Sequence, residues 1–434
     1  MPHRADEEPQ PAPGAAPDAG SGSSSGPPRP RVFLHVGEPK TGTTFLQQVM
    51  WRNRSELAAQ GVVLPGHHPQ DHYRASQDLR GIQKLASDPA GSWAGEWEIL
   101  ARQARQAPRV AVISHELFSA ADPEQADRAV RSLLPAEVHV VLTVRDMATL
   151  LPAEWQETVK HRSTRGWEDW LGDVIDRESV SDDRRQWWFW RVHDTLAILD
   201  LWSRHVPPER LHVIIMPPRG SDPGLLWQRF ASLLDVEPGS VDPTRARPNA
   251  SRGLPEIEFL RQLNQALPDE VPDWFYMWNV KEAVAHRALA ARPPSGRLAL
   301  PPEREAWARA QADQLVAGLA DSKYDIIGDL DELVPRPSGV PATRPGDHPA
   351  DQVLAAAVEA AAALVVNQYR KEYPAAKPQG SGQRGLVGRV ESTVASSPRL
   401  KRTVRELSSR SAAVRRLRIL AWRTLERNRA GRHS

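Results

Sequence analysis

Arg31–Met50 reads RVFLHVGEPKTGTTFLQQVM. VFLHV (Val32–Val36) is β-branched and apolar, the pattern of a strand buried on both faces. GEPKTGTT (Gly37–Thr44) is a turn with two glycines, three threonines and one lysine. TTFLQQVMWRNRSELAAQ follows, with Phe45, Leu46, Val49, Met50 and Leu57 on one side, which predicts a helix. A strand, a glycine turn and a helix N-terminus make a cradle for an anion, because the first N–H groups of a helix lack intrahelical partners and its dipole is positive there. Gly37 and Gly42 let the backbone approach an anion closely. Thr41, Thr43 and Thr44 add hydroxyl donors, and Lys40 adds a full charge. The alternative is a strand–turn–helix corner that holds nothing, which has no need of a lysine among three threonines.

The strand pattern recurs in RVAVISHE (Arg109–Glu116), EVHVVLTVRD (Glu137–Asp146) and LHVIIM (Leu211–Met216), with helical patterns such as DPEQADRAVRSLL and TLAILDLWSRH between them. Four buried-type strands separated by helices predict an α/β fold with a central parallel sheet. Ligands of such sheets sit at the carboxyl ends of the strands. Lys40, the trio Ser114–His115–Glu116, and Arg145 all fall at those ends.

The 434 residues are 40% hydrophobic and 25% charged, with no cysteine. That composition excludes disulfides, thiolate catalysis and cysteine-ligated metal, and it suits a reducing cytosol. No run reaches the roughly 18 uninterrupted apolar residues of a membrane span. The first residues carry acids and prolines where a signal peptide has an apolar stretch. The expected location is the cytoplasm. Residues 1–30 are rich in Pro, Gly, Ser and Ala and read as disordered. The α/β domain is expected over 31–335, a Pro/Gly linker over 336–350, an alanine-rich helix over 351–374, a linker over 375–396 and a basic amphipathic helix over 397–434. From Gln379 onward the chain has 14 Arg and Lys against 3 Glu, about +11, so within the net +2 the preceding part is about −9. An acidic body does not suit a nucleic-acid-binding enzyme. The basic tail is the candidate for contact with an anionic membrane surface or, slightly preferred, for self-association.

The spacing of Gly37 and Gly42 matches the nucleotide-triphosphatase loop GxxxxGK(S/T), but Thr43 stands where that loop has its lysine, which here is Lys40. PKTGTTFLQ after a strand resembles instead the 5′-phosphosulfate loop of the sulfotransferases that use 3′-phosphoadenosine-5′-phosphosulfate (PAPS). Bacterial members of the carbohydrate-type branch look closest. The match is specific over six to nine residues and looser over about 31–334. The resemblance implies a P-loop-like three-layer α/β fold, here with a C-terminal helical extension. It implies PAPS as co-substrate and no metal. It places Pro39, Lys40, Thr41, Gly42, Thr43 and Thr44 around the 5′-phosphate, with Lys40 stabilising the leaving phosphate, where negative charge grows in the transition state. Arg145 matches the family arginine that binds the 3′-phosphate, a role suited to a bidentate guanidinium; its alternative is a helix-start salt bridge with Asp146. The family serine eight residues later is Ala153 here, a departure, with Thr149 as the candidate substitute. Arg247, Asn249, Ser251 and Arg252 loosely resemble the late cofactor loop.

Sulfuryl transfer gains from a general base on the acceptor hydroxyl. The resemblance implies a histidine or a glutamate, and His115 and Glu116 stand side by side. Glu116 is slightly favoured; the alternative for either residue is that it caps the following helix. Ser114 is a candidate for the 3′-phosphate or the acceptor. Trp155, Gln156, Trp187 and Trp188 are candidates for the acceptor, although consecutive aromatics on a helix point all round it and some must be core. His161 and His193 look isolated, and no spacing resembles a metal site. The acceptor expected is a carbohydrate, a glycosylated metabolite or another small molecule. The rivals are a P-loop kinase or NTPase using Mg-ATP, and a non-catalytic P-loop scaffold displaying the basic tail.

Overall fold

The computed structural model describes residues 29–82, 93–176, 184–246, 253–289, 292, 296, 298–336 and 349–372. The expected segments 1–30, 336–350, 375–396 and 397–434 lie outside them, except at their edges.

Six strands form one sheet: β1 (Arg31–His35), β2 (Val62–Val63), β3 (Val110–Ser114), β4 (Glu137–Val144), β5 (Leu211–Ile215) and β6 (Asp325–Ile327). Their order is β2-β3-β1-β4-β5-β6, and every neighbouring pair is parallel. This is the mixed α/β, P-loop-like architecture expected. The four long strands stand where the apolar runs predict them. β2 and β6, at the edges, are too short to show a period in sequence.

Successive β1 side chains go to opposite faces of the sheet. Val32 and Leu34 pack in a core with Ile198, Leu199 and Trp202 of the helix Thr195–Ser203. Phe33 packs on the other face with Leu46, Val49 and Met50 of the helix Thr43–Arg52 and with Phe230. Helices on both faces bury both sides of β1 and explain why its sequence is apolar without alternation.

A third core contains no strand residue. Trp155, Trp167, Trp170, Phe189, Ile257, Tyr276 and Val284 build it from helices Met147–Lys160, Trp167–Ile175, Arg184–His193, Leu254–Ala266 and Asp273–Tyr276 and the π-helix Met277–Ala288. The helix Met147–Lys160 leaves the carboxyl end of β4, so it joins this helical lobe to the sheet. The alanine-rich helix Ala350–Glu372 lays Ala356 and Ala360 into the lobe and leaves Leu354, Val358 and Val365 exposed. Among the described residues, its stretch Ala350–Arg370 is long and apolar enough to cross a membrane by length and composition.

Candidate active site

β1 lies between β3 and β4, with His35 opposite Ser114 on one side and Val141 on the other. The carboxyl ends of three adjacent strands therefore open at one place, and the loop Gly37–Gly42 crosses it. Three of its residues have left-handed backbones: Gly37 (φ +42°), Lys40 (φ +64°) and Gly42 (φ +88°). For lysine that conformation is uncommon, and such strain collects at functional sites. A Cβ at Gly42 would collide with the Leu226 side chain, so packing as well as φ requires glycine there. The helix Thr43–Arg52 begins with no side-chain cap and no acid in its first turn. Its first N–H groups are left to the loop side, as an anion site requires.

The loop holds its own shape through hydroxyls expected to face a ligand. Thr41 Oγ1 donates to the Glu38 carbonyl at 2.6 Å and lies 2.6 Å from Thr143 Oγ1. Thr43 Oγ1 donates to the same carbonyl at 3.2 Å. Both threonines are buried, whereas Thr44 is exposed and Pro39 half-buried in the turn. Beneath the loop His35 is fully buried, its Nδ1 2.8 Å from Ser114 Oγ and its Nε2 3.4 Å from Thr143 Oγ1. Burial lowers its pKa to about 4, so it is neutral. Ser114, expected at the ligand, is instead 1% exposed and belongs to this layer.

Arg145 stands at the end of β4 and donates from Nη1 to the Lys40 carbonyl at 3.1 Å. The neighbouring Asp146 caps the helix Met147–Lys160, accepting the Thr149 N–H at 2.8 Å. Thr149 is half-buried in that first turn. At the end of β3, His115 Nδ1 accepts the Leu117 N–H at 3.2 Å and so caps the short 3₁₀ turn Glu116–Ala120. Burial holds its pKa below the ordinary histidine value. Glu116 keeps 28% of its side chain exposed, with Oε2 3.4 Å from Gln47 Nε2 and 3.9 Å from His115 Nδ1.

The far side of Lys40 is a charged wall that the sequence reading did not include. Lys40 Nζ donates to Glu157 Oε2 at 2.6 Å. Lys160 Nζ meets the same oxygen at 2.6 Å, and Lys281 Nζ meets Oε1 at 3.0 Å. His161 Nε2 lies 3.2 Å from Oε1 and is bonded to Lys281, so it is not isolated. Burial would push the Glu157 carboxyl up, but His161 and the three lysines hold it well below the usual range. Burial would likewise lower Lys40, but Glu157, Glu154 and Glu116 leave its pKa raised.

Behind this wall His193 is fully buried between two carboxylates, with Nδ1 3.6 Å from Glu38 Oε2 and Nε2 3.7 Å from Glu154 Oε2. These are ion-pair distances, too long for hydrogen bonds. Burial opposes the charge, yet Glu154 and Glu38 raise the pKa to about 9. Glu38 also accepts from the Thr195 hydroxyl, which ties the loop to the start of the helix Thr195–Ser203 on the sheet. Glu154, Glu157 and Lys160 have the i, i+3, i+6 spacing of one helix face, a signal present in the sequence. Lys281 is 124 residues from Glu157, and no local pattern could have paired them.

The aromatic expectations need correction. Trp155 is fully buried, donates from Nε1 to the Arg165 carbonyl at 3.2 Å and packs against Trp167 in the helical core, so it does not line a cleft. Gln156 is also buried. Trp188 is half-buried beneath the Arg80 guanidinium, 5.0 Å from its ring centroid. The Trp187 side chain lies outside the described residues, as do Arg247, Asn249, Ser251 and Arg252. Among the described residues, no group of three or more His, Asp or Glu is placed to hold a metal ion.

No family model matches the chain, and no curated protein matches it. Among solved structures it is similar to the crystal structure of a sulfotransferase from Alicyclobacillus acidocaldarius. That likeness has 18% identity and a TM-score of 0.33, over 61% of this chain and 98% of the other.

Proposed function

We propose that the chain transfers a sulfuryl group from PAPS to an acceptor hydroxyl. One observation carries the reading: the ends of β3, β1 and β4 gather Glu116, Lys40 and Arg145 around an uncapped helix N-terminus. The donor lies with its 5′-phosphosulfate against the loop N–H groups and the Thr44 hydroxyl, and Arg145 takes the 3′-phosphate. The acceptor oxygen attacks sulfur in line. The new S–O bond forms as the bond from sulfur to the bridging phosphate oxygen breaks. The electron pair leaves with adenosine 3′,5′-bisphosphate, and Lys40 neutralises it. Glu116 takes the acceptor proton. It suits that role better than His115, whose Nδ1 already accepts the Leu117 N–H and whose basicity burial lowers. No metal enters the step.

The test is calorimetric titration with adenosine 3′,5′-bisphosphate, against ATP plus Mg²⁺. Micromolar, metal-independent binding of the bisphosphate, weakened in Lys40→Ala and Arg145→Ala, is expected. Binding of Mg-ATP alone would replace this reading with a kinase or NTPase, and binding of neither with a scaffold.

A further inference from the structure

Lys40, Lys160 and Lys281 all meet the single carboxylate of Glu157. Three ammonium groups against one carboxylate leave a surplus of positive charge at one wall of the site. Glu154 and Glu116 offset part of the charge on Lys40, which leaves Lys160 and Lys281 with Glu157 as the acid they meet. Glu154 faces His193, which is protonated, and Glu282 pairs with Arg287 at 3.3 Å. His286, on the same π-helix as Lys281, lies near both lysines: burial first, then Lys160 and Lys281, lower its pKa to about 4 against the pull of Glu157 and Glu282. The lysines are not sealed in, since Lys160, Lys281 and Lys40 keep 13, 15 and 23% of their side chains exposed. A fold does not need three half-desolvated lysines on one acid for stability, because gathering like charges costs energy. Lys281 also arrives on a π-helix, a geometry frequent at functional sites.

We infer that Lys160 and Lys281 form a subsite for an anionic group of the acceptor, a carboxylate, sulfate or phosphate ester carried beside the hydroxyl that is modified. The inference rests on the sulfotransferase reading and narrows its acceptor. Glu157 is then the counter-ion that keeps the lysines together when no acceptor is present. With each lysine carrying three donors, an oxyanion joins the cluster without displacing Glu157.

The experiment is calorimetry on the full chain saturated with adenosine 3′,5′-bisphosphate. The probes are inorganic phosphate, 4-nitrophenyl β-glucuronide and 4-nitrophenyl β-glucoside, the last two alike but for the carboxylate. The expected result is phosphate binding, with the glucuronide at least about ten-fold tighter than the glucoside, the scale of one charge-assisted contact. Lys160→Gln with Lys281→Gln should abolish both effects, and Lys160→Arg with Lys281→Arg should retain them at an unchanged melting temperature. Equal affinity for the two glycosides, or a preference that survives the double glutamine variant, would overturn the inference. So would a loss of bisphosphate affinity in that variant as large as the loss of phosphate affinity, which would give the lysines to the nucleotide. The phosphate titration is repeated without bisphosphate. A chain that binds lysine-dependent phosphate but no bisphosphate keeps the anion site and loses the sulfotransferase reading.

Discussion

Two fully buried histidines flank the loop, and only one of them is charged. His35 lies under it on the sheet side, among the hydroxyls of Ser114 and Thr143, and is neutral with a pKa of about 4. His193 lies on the helical side, between Glu38 and Glu154, and is protonated with a pKa of about 9. Burial alone disfavours the charged form of either. What separates them is whether the neighbours are hydroxyls or carboxylates. The same contrast runs through the site. Beneath the loop the partners are neutral hydroxyls, and on the helical side they are charges gathered on Glu157 and around His193. Lys40 stands between, its backbone in the loop and its ammonium on Glu157.

The largest effect should come from removing the residue shared by both sides. Lys40→Ala is expected to lower sulfuryl transfer by at least about 10²–10³-fold, the scale of losing one transition-state charge stabiliser. Single-turnover rates with PAPS check it, and an unchanged rate would remove Lys40 from the chemistry. Glu116→Gln should cost about 10²-fold or more if it is the base, while His115→Gln should cost less and act mainly through its capping bond. The reverse order would transfer the role of base to His115.

His193→Gln strips two buried carboxylates of their counter-ion and should destabilise the chain by about 3–5 kcal/mol near neutral pH, read as the midpoint of denaturant unfolding. The pH dependence has a definite sign. The folded pKa of His193 is raised from 6.5 to about 9, so its stabilisation is complete below pH 6.5 and is lost as pH rises through 9. The deficit of His193→Gln should therefore shrink over that window. His35→Gln should cost less, about 1–3 kcal/mol for disturbing a buried hydrogen-bonded site, and its signature lies on the acid side. With its folded pKa lowered from 6.5 to about 4, His35 makes the wild type lose stability as pH falls through that interval, and the variant should lose less. Parallel pH profiles for the two variants would erase the comparison between the two sides.

Much of the architecture was legible locally. A both-faces-buried strand, a turn with two glycines and a helix pattern announce the loop in 20 consecutive residues, because each depends on neighbours in the chain. Arg145 and Glu116 were legible for a related reason: they follow apolar runs, and strand ends of a parallel sheet converge. Legibility failed where side-chain direction mattered. Thr41, Thr43 and Ser114 look like ligand donors by type, but close packing beneath the loop turns their hydroxyls inward. Trp155 follows Arg145 by ten residues and looks like a cleft residue, yet its helix face points into the lobe.

Residue order thus sets the strands, the loop and the chemistry that the loop can offer, since hydrophobic periodicity and backbone freedom are properties of short segments. The charged wall has a different origin. Glu38, Glu154 and His193 come from three separate segments, as do Lys40, Glu157 and Lys281. Whether such groups are charged or neutral depends on desolvation and on partners a few ångströms away, and both exist only after the helical lobe has closed against the sheet.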